Sequence, residues 1–208
     1  MEKFVLASHN PNKLREMSEI LSRLGLEVIS PAEAGADIEV EETGTTFEEN
    51  SLLKARAYME RTGLPAVADD SGLCVDCLNG GPGVFSARYG GEGLDDAGRC
   101  RLLLENMRGQ MPRTAHFVSV ITCCFPDGEV LTARGECPGT IAFAPMGENG
   151  FGYDPVFFLP PLKKTFAQLT AAEKNMLSHR GRALEAFEKK LDNYLKTGQK
   201  GEPDGADE

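Results

Sequence analysis

The stretch Ala68-Asp69-Asp70-Ser71-Gly72-Leu73 places two adjacent carboxylates directly after the apolar run Leu64–Ala68. That run is typical of a short buried strand, so we predict that the acids follow its carboxyl end, where α/β proteins place their sites. Neighbouring strand residues point to opposite faces, so only one acid would face a given cleft. Turn formation before Ser71 and Gly72 explains one aspartate well and two poorly. We therefore expect a chemical role for one of them.

Strands and helices are predicted to alternate around this stretch. The predicted strands are Phe4–Ala7, Leu26–Ile29, Leu64–Ala68, Thr114–Phe125, Val130–Cys137 and Val156–Phe158. Helix starts are predicted by the capping residues Thr46, Asp95, Thr170 and Ser178, and after the turn Ser8–Asn12. The first helix would bury Leu14, Met17, Leu21 and Leu24. This order indicates an α/β fold with a central mixed sheet and flanking helices.

Length and composition describe an ordinary globular chain. It has 208 residues, 41% of them hydrophobic and 26% charged, and we predict one domain over residues 1–197. No apolar run approaches the roughly 20 residues that span a bilayer, so we expect no membrane insertion. The N-terminus lacks the features of a secretory signal, so a cytoplasmic location and reduced cysteines are expected.

The formal net charge is −10. Non-specific binding to nucleic acid or anionic lipid requires a basic face, so neither partner is expected. The acidic tail, residues 198–208, has no apolar anchor and is predicted to be disordered. Cys74 and Cys77 have CxxC spacing, but no second pair exists to complete a zinc site. Small, half-buried thiols are the favoured interpretation.

The turn Ser8-His9-Asn10-Pro11-Asn12-Lys13 joins a strand to a helix start. The N–H groups and dipole of a helix N-terminus favour an anion, and Lys13 adds a positive charge, so the turn suits phosphate. Plain N-capping with a solvated Lys13 is an equally good interpretation of these residues alone. The turn lacks the glycines of a P-loop or a Rossmann fingerprint.

The loop Gly150-Phe151-Gly152-Tyr153-Asp154 offers a platform for a flat ligand. Its glycines permit close approach, Phe151 can stack on a base, and Asp154 can accept from a ring N–H. By itself, Phe151 as core filler is the more common interpretation.

Further along the chain, Lys174 and the run Ser178-His179-Arg180 add phosphate or base-edge donors. By themselves they fit surface charges and a helix start. The separate segments together supply phosphate donors, metal carboxylates and a base platform, which points to a nucleoside polyphosphate. Mg²⁺ takes one or two protein carboxylates plus phosphates, so one aspartate of the pair with Glu41 or Glu42 would suffice.

The ordered set of motifs resembles the inosine triphosphate pyrophosphatase family, the dITP/XTP pyrophosphatases. The motifs are Ser8-His9-Asn10-x-x-Lys13, Thr46–Asn50 with Lys54-Ala55, Ala68–Leu73, Pro82–Tyr89, Gly150–Pro155 and Ser178–Gly181. The resemblance covers residues 1 to about 195. Each motif is modest alone, whereas the ordered set is highly specific.

The resemblance implies two lobes with the active site in the cleft between them, a homodimer, and Mg²⁺-dependent cleavage of ITP, dITP and XTP to a nucleoside monophosphate and pyrophosphate. It implies that Asp70 is the general base and a metal ligand, with Glu41 as the second ligand; Glu42 is adjacent, and an exchange of roles stays open. The implied substrate-binding residues are Ser8, His9, Asn10, Pro11, Asn12, Lys13, Ser71, Phe151, Gly152, Tyr153, Asp154, Lys174, His179 and Arg180.

One departure from the family pattern is His9, where many relatives carry glycine; Ser8 and Asn10 remain in place. Four other functions compete with this interpretation. One is a broad Mg²⁺-dependent pyrophosphatase acting on modified pyrimidines or ordinary nucleotides, and the second is a non-catalytic nucleotide-binding module. The net charge argues against a third, a nucleic-acid binder, and the lack of a second CxxC pair argues against a fourth, a zinc or redox protein built on Cys74 and Cys77. The presence of Lys13, Glu41 and Asp70 argues against the second.

Overall fold

The computed structural model describes residues 3–22, 25–91 and 93–197. The predicted core residue Leu24 and the predicted disordered tail, residues 198–208, lie outside the described residues. Among those that are described, no helix is both long enough and apolar enough to cross a membrane.

The described residues form one seven-stranded sheet, and the predicted mixed character of the sheet is confirmed; the short strand Lys164–Thr165 was not predicted. Its strands are β1 (Lys3–Leu6), β2 (Glu27–Ile29), β3 (Ala66–Val75), β4 (Thr114–Cys124), β5 (Val130–Ile141), β6 (Phe157–Leu159) and β7 (Lys164–Thr165). The spatial order is β2-β1-β3-β4-β5-β6-β7, in which β1 runs parallel to β2 and β3 and the remaining pairs are antiparallel.

Five α-helices flank the sheet within the described ranges. They are α1 (Pro11–Leu21), α2 (Phe47–Thr62), α3 (Asp96–Asn106), α4 (Ala171–Leu177) and α5 (His179–Thr197). The predicted capping boxes at Thr46 and Thr170 are both present, and Asp95 accepts from Gly98 N–H. Ser178 Oγ accepts from Gly181 N–H at 3.1 Å, so it caps α5 as predicted.

The position of the two central acids differs from the prediction. Instead of ending at Ala68, β3 continues to Val75 and pairs with β4 along its whole length, so Asp69 and Asp70 lie in the middle of a strand. Polar residues are tolerated there because ion pairs satisfy them. The prediction that the acids follow the strand's carboxyl end is therefore wrong.

Alternation along β3 divides its side chains between two faces of the sheet. Ala66, Ala68 and Cys74 pack on the side of α2, whereas Val67, Leu73 and Val75 pack on the side of α1, α3 and α5. The apolar clusters also separate along the strand, since Ala66–Ala68 belong to the clusters at one end and Leu73 and Val75 to the cluster at the other. The polar segment between them, Asp69–Gly72, borders the candidate site.

Candidate active site

The candidate site is a cleft beside the open edge of β3. β1 pairs with β3 only at Ala66 and Val67, so beyond Val67 this edge of β3 is not paired with β1. A 3-10 helix, Gly83–Arg88, packs against the strand near Gly72, where an added Cβ would lie 2.7 Å from Ser86 Oγ. The cleft is lined by Asn10, Lys13, Glu42, Asp70, Ser71, Gly72, Val84, Ser86, Ala87, Asp96, Arg99, Phe117, Phe151, Gly152, Tyr153, Asp154, Lys174, His179 and Arg180.

The turn before α1 has the predicted helix cap, but the solvated lysine expected with it is not found. Asn10 caps the helix, with its Oδ1 accepting from the N–H groups of Asn12 at 3.0 Å and Lys13 at 3.3 Å. Lys13 is not solvated: its side chain is only 16% exposed, and its Nζ lies 2.7 Å from Asp69 Oδ2. Asn10 and Lys13 line the cleft, so the start of α1 contributes both a polar group and a charge to it.

His9 faces the other way, toward the acidic loop that follows β2. Its Nε2 lies 2.7 Å from Asp37 Oδ1 and 3.4 Å from the hydroxyl of Tyr58. The same hydroxyl donates to the Ile38 carbonyl at 2.7 Å. His9 thus joins the turn to the acidic loop and is not among the cleft-lining side chains.

Asp69 connects three groups that line the cleft. Its Oδ2 accepts from Lys13 at 2.7 Å, from Ser71 Oγ at 3.1 Å and from Arg180 Nη2 at 3.4 Å, while its Oδ1 accepts from Ser119 Oγ at 2.5 Å. Burial by itself favours the neutral acid. The charges of Lys13 and Arg180 outweigh it and hold the pKa of Asp69 far below its usual range.

A second carboxylate, that of the half-buried Glu16, joins two cleft cations from different helices. Its Oε1 lies 3.2 Å from Lys174 Nζ on α4, and its Oε2 pairs with Arg180 Nη1 on α5. The side chains of Lys174 and Arg180 are 7% and 3% exposed, so neither is a solvated surface charge. Sequence reasoning missed Glu16; the available signal was its position three residues after Lys13, on the same helical face.

The loop before β6 is shaped around Asp154. Asp154 Oδ2 accepts from Phe151 N–H at 2.9 Å and from Lys174 Nζ at 2.7 Å. Gly150 has φ +75°, and an added Cβ would overlap that carboxylate oxygen. The Phe151 ring lies 4.5 Å from Lys174 Nζ and lines the cleft, and Tyr153 donates to the Ser86 carbonyl at 2.8 Å.

His179 lies against an aromatic wall. Its ring stacks on Phe117 with a centroid distance of 4.5 Å and an interplanar angle of 12°. Burial and the neighbouring charge of Arg180 hold the pKa of His179 well below its usual value, so the imidazole is neutral. Its Nδ1 is buried and has no hydrogen-bond partner among the described residues, and the residue lines the cleft.

Asp70 occupies the opposite face of β3 from Asp69. Lys54 Nζ, from α2, lies 3.4 Å from Asp70 Oδ1 and 2.5 Å from Glu42 Oε1. Asp70 Oδ2 is buried without a hydrogen-bond partner among the described residues. Burial raises the pKa of Asp70, against the opposing charge of Lys54. A buried carboxylate oxygen without a hydrogen-bond partner can bind a cation or accept a proton from an attacking water.

The two neighbouring glutamates, Glu41 and Glu42, differ in their position relative to the cleft. Glu42 lines the cleft and is held by Lys54 and, at 3.3 Å, by Arg88. Glu41 is exposed and borders an adjoining depression with Glu42 and Arg88. The structure therefore brings Glu42, rather than the expected Glu41, next to Asp70.

Most of the predicted site residues converge. The predicted residues that line the cleft are Asn10, Lys13, Asp70, Ser71, Phe151, Gly152, Tyr153, Asp154, Lys174, His179 and Arg180. Those that do not line it are Ser8, His9, Pro11, Asn12 and Glu41. Lys54, which belonged to a quoted motif but had no predicted role, contacts Asp70.

Across the described chain no cluster of three or more His, Cys, Asp or Glu residues is arranged for a metal, and all six cysteines are free thiols.

Comparison with known proteins agrees with the resemblance. The Ham1 family model matches residues 4–190. The dITP/XTP pyrophosphatase of Exiguobacterium sp. is 47% identical over 194 residues, covering 93% of this chain and 99% of the relative. The dITP/XTP pyrophosphatase of Haemophilus influenzae is 50% identical over 194 residues, covering 91% of this chain and 99% of the relative.

Solved structures of similar sequence have the same fold as this chain. A Ham1 protein from Coxiella burnetii superposes with a TM-score of 0.86 at 44% identity, covering 93% of this chain and all of that one. A dITP/XTP pyrophosphatase from Mycobacterium abscessus gives a TM-score of 0.73 at 48% identity, covering 88% of this chain and 97% of that one. Family model, sequence identity and fold agree over nearly the whole chain, and the protein is therefore a member of the Ham1 family.

Proposed function

We propose that this protein hydrolyses ITP, dITP and XTP to the nucleoside monophosphate and pyrophosphate, removing non-standard purine nucleotides from the pool. Relatives with nearly half of their residues identical are dITP/XTP pyrophosphatases. The observation that carries the proposal is Asp70, which lines a cleft together with Lys13, Arg99, Lys174 and Arg180. Its Oδ2 is buried and has no hydrogen-bond partner among the described residues. The cleft thus combines a base with the cations that a polyphosphate requires.

The start of α1 is proposed to hold the phosphate chain. Lys13 and Asn10 already face the cleft, and the helix N-terminus adds its partial positive charge. In this proposal the whole turn, from Ser8 through His9, Pro11 and Asn12 to Lys13, encloses the phosphates.

Asp70 is proposed to hold Mg²⁺ together with a carboxylate of the neighbouring acidic pair. The fit rests on Asp70 Oδ2, and two protein carboxylates suffice when phosphate oxygens complete the coordination. Glu41 remains the proposed second ligand because Glu42 is already neutralised by Lys54 and Arg88. When bound, Mg²⁺ supplies charge neutralisation of the phosphates and lowers the pKa of water.

Asp70 is also the proposed general base. Water is added across the anhydride bond between the α- and β-phosphates, and Asp70 accepts its proton. A carboxylate whose pKa is raised by burial is a stronger base than an exposed one, so the cleft assists the transfer. No side-chain nucleophile is required.

Base recognition is proposed to come from the loop Phe151–Asp154 and the α4–α5 junction. Phe151 and Gly152 approach the ring, Tyr153 and Asp154 fix the loop, and Ser71 contacts the substrate. The cations Lys174 and Arg180 and the neutral His179 face the same space. Keto bases are separated from adenine by hydrogen bonds to O6 and N1, for which these side chains offer donors and acceptors.

The remaining expectations belong to the same proposal: one two-lobed domain over residues 1–197, a homodimer and a cytoplasmic location. The charge of −10 supports the absence of a nucleic-acid partner.

The test is product analysis with ITP, dITP, XTP, GTP, ATP and dUTP, with Mg²⁺ and then with excess EDTA. We expect pyrophosphate plus IMP, dIMP or XMP from the first three, with GTP, ATP and dUTP largely spared and no turnover in EDTA. Release of orthophosphate would contradict the bond assignment. Equal turnover of all six nucleotides would favour a broad pyrophosphatase.

A further inference from the structure

A half-buried ammonium group, that of Lys54, lies between the carboxylates of Glu42 and Asp70. Lys54 Nζ lies 2.5 Å from Glu42 Oε1, 3.4 Å from Asp70 Oδ1 and 2.9 Å from the Asp69 carbonyl oxygen. The Lys54 side chain is 13% exposed and that of Asp70 is 7% exposed. Three oxygens on three different residues therefore fix the position of this charge.

The other cations around Asp70 are engaged elsewhere. Lys13 pairs with Asp69 on the opposite face of the strand, and Arg88 reaches the far oxygen of Glu42. Among the described residues, Lys54 is the cation within 4 Å of both Glu42 and Asp70. The charge of the ligand-free Asp70 carboxylate is thus compensated mainly by this one side chain.

We propose that Lys54 is a resident counter-ion that holds the cation position beside Asp70 in the ligand-free protein and thereby weakens binding of free divalent metal. An ammonium 3.4 Å from a carboxylate repels a divalent ion approaching the same carboxylate. Metal then enters favourably only with the added negative charge of a nucleotide. This inference rests on the proposed function for its purpose, although the electrostatic competition it describes does not require turnover.

Lys54 is suited to this role because its contacts with Glu42 and with the Asp69 carbonyl are shorter than its contact with Asp70. The short contacts are those to Glu42 and to the Asp69 carbonyl, and the longest is that to Asp70. The ammonium can therefore release Asp70 while it keeps its other two partners. Asp70 Oδ2, which has no partner among the described residues, is the oxygen left for the arriving ion.

The test is Mn²⁺ binding by the nucleotide-free protein, measured by electron paramagnetic resonance, with Mg²⁺ competition. Lys54→Met keeps the length of the side chain and removes its charge, so we expect Mn²⁺ to bind at least about tenfold more tightly than to wild type. Lys54→Arg keeps the charge and should bind as weakly as wild type. Lys189→Met, which removes an exposed charge on α5, is the matched control.

Two further variants keep the experiment decisive. Lys54→Gln retains hydrogen-bonding capacity toward the Asp69 carbonyl, and it replaces Lys54→Met if circular dichroism shows that the methionine variant is unfolded. Adding Asp70→Asn to either neutral variant should remove the gained affinity. Unchanged or weaker Mn²⁺ binding in folded Lys54→Met or Lys54→Gln, or a gain that survives loss of Asp70, would overturn the proposal. Failure of nucleotide hydrolysis by wild type would instead count against the proposed function, and the metal-binding comparison would still decide the role of Lys54.

Discussion

Asp69 and Asp70 are adjacent in β3, yet their carboxylates lie on opposite faces of the sheet and pair with different lysines. Asp69 Oδ2 lies 2.7 Å from Lys13 on α1, and Asp70 Oδ1 lies 3.4 Å from Lys54 on α2. The environments shift the two acids in opposite directions, since the pKa of Asp69 is lowered and that of Asp70 is raised. The opposite shifts fit different tasks for the two acids: Asp69 stays ionised and pairs with Lys13 and Arg180, and Asp70 is the acid proposed as the base.

Asp70→Asn is expected to abolish hydrolysis while preserving the fold. Without the carboxylate neither proton acceptance nor metal binding is supported, so kcat for ITP should fall by at least about 10²- to 10⁴-fold. Burial raises the pKa of Asp70, so its ionised form costs stability once the pH exceeds that pKa. The asparagine variant should therefore melt at the same temperature as wild type or higher at neutral pH. Turnover near the wild-type rate would exclude Asp70 from the role of base.

Asp69→Asn should destabilise the protein, because Lys13 and Arg180 would each lose a buried counter-charge. We expect a loss of about 3 kcal/mol or more in the free energy of unfolding, measured by urea denaturation at pH 7.

The same carboxylate predicts an acid-dependent loss of stability. Its pKa is lowered on folding, so its contribution is complete above the unfolded value of 3.8 and is lost as the pH falls below it. Wild type should therefore lose more stability than Asp69→Asn between about pH 5 and pH 2. Parallel pH curves for the two proteins would contradict this assignment.

Glu16→Gln tests whether the half-buried Glu16 carboxylate positions the cations of the α4–α5 junction. Lys174 keeps Asp154 and Arg180 keeps Asp69, so the fold should survive while both cations lose a common anchor. We expect KM for ITP to rise about tenfold with kcat within about threefold of wild type, because substrate binding depends on their placement. Glu105→Gln, on an exposed position of α3, is the control. A fall in kcat without a change in KM would argue against a positioning role.

Gly150→Ala and Gly152→Ala form a matched pair in the base-platform loop. Both glycines have positive φ, +75° and +61°, so alanine adds backbone strain of about 1 kcal/mol at each. Only at Gly150 would the new Cβ overlap Asp154 Oδ2; nothing lies within 4 Å at Gly152. Gly150→Ala should therefore show the larger rise in KM for ITP, measured with both variants folded. Equal effects would mean that displacement of Asp154 has no part in substrate binding.

Much of the fold is encoded in local patterns. The capping boxes at Thr46 and Thr170 identified the starts of α2 and α4, since a cap and its acceptor lie within four residues. The length of β3 could not be predicted in this way. Its polar half is stabilised by pairing with β4 and by ion pairs with Lys13 and Arg180, all of them distant in sequence.

The residues of the candidate site were likewise predicted only in part from the sequence. The motifs selected most of the residues that line the cleft, because the family resemblance links residue types to a chemistry. Glu16 and Lys54 were given no role, since a helical Glu or Lys is ordinarily a solvated surface charge. Their burial is a property of helix packing that a local pattern does not contain.

The sequence alone determined that this is an α/β protein of modest size, with an acidic charge, a phosphate-compatible turn and the ordered motifs of one enzyme family. Local periodicity, capping and residue chemistry are sufficient for these conclusions. The tertiary structure decided that the two adjacent acids have opposite environments, that Glu42 rather than Glu41 lies near Asp70, and that Lys54 lies between Glu42 and Asp70. Desolvation and charge pairing depend on distances between residues that are remote in the chain, and only the folded arrangement sets those distances.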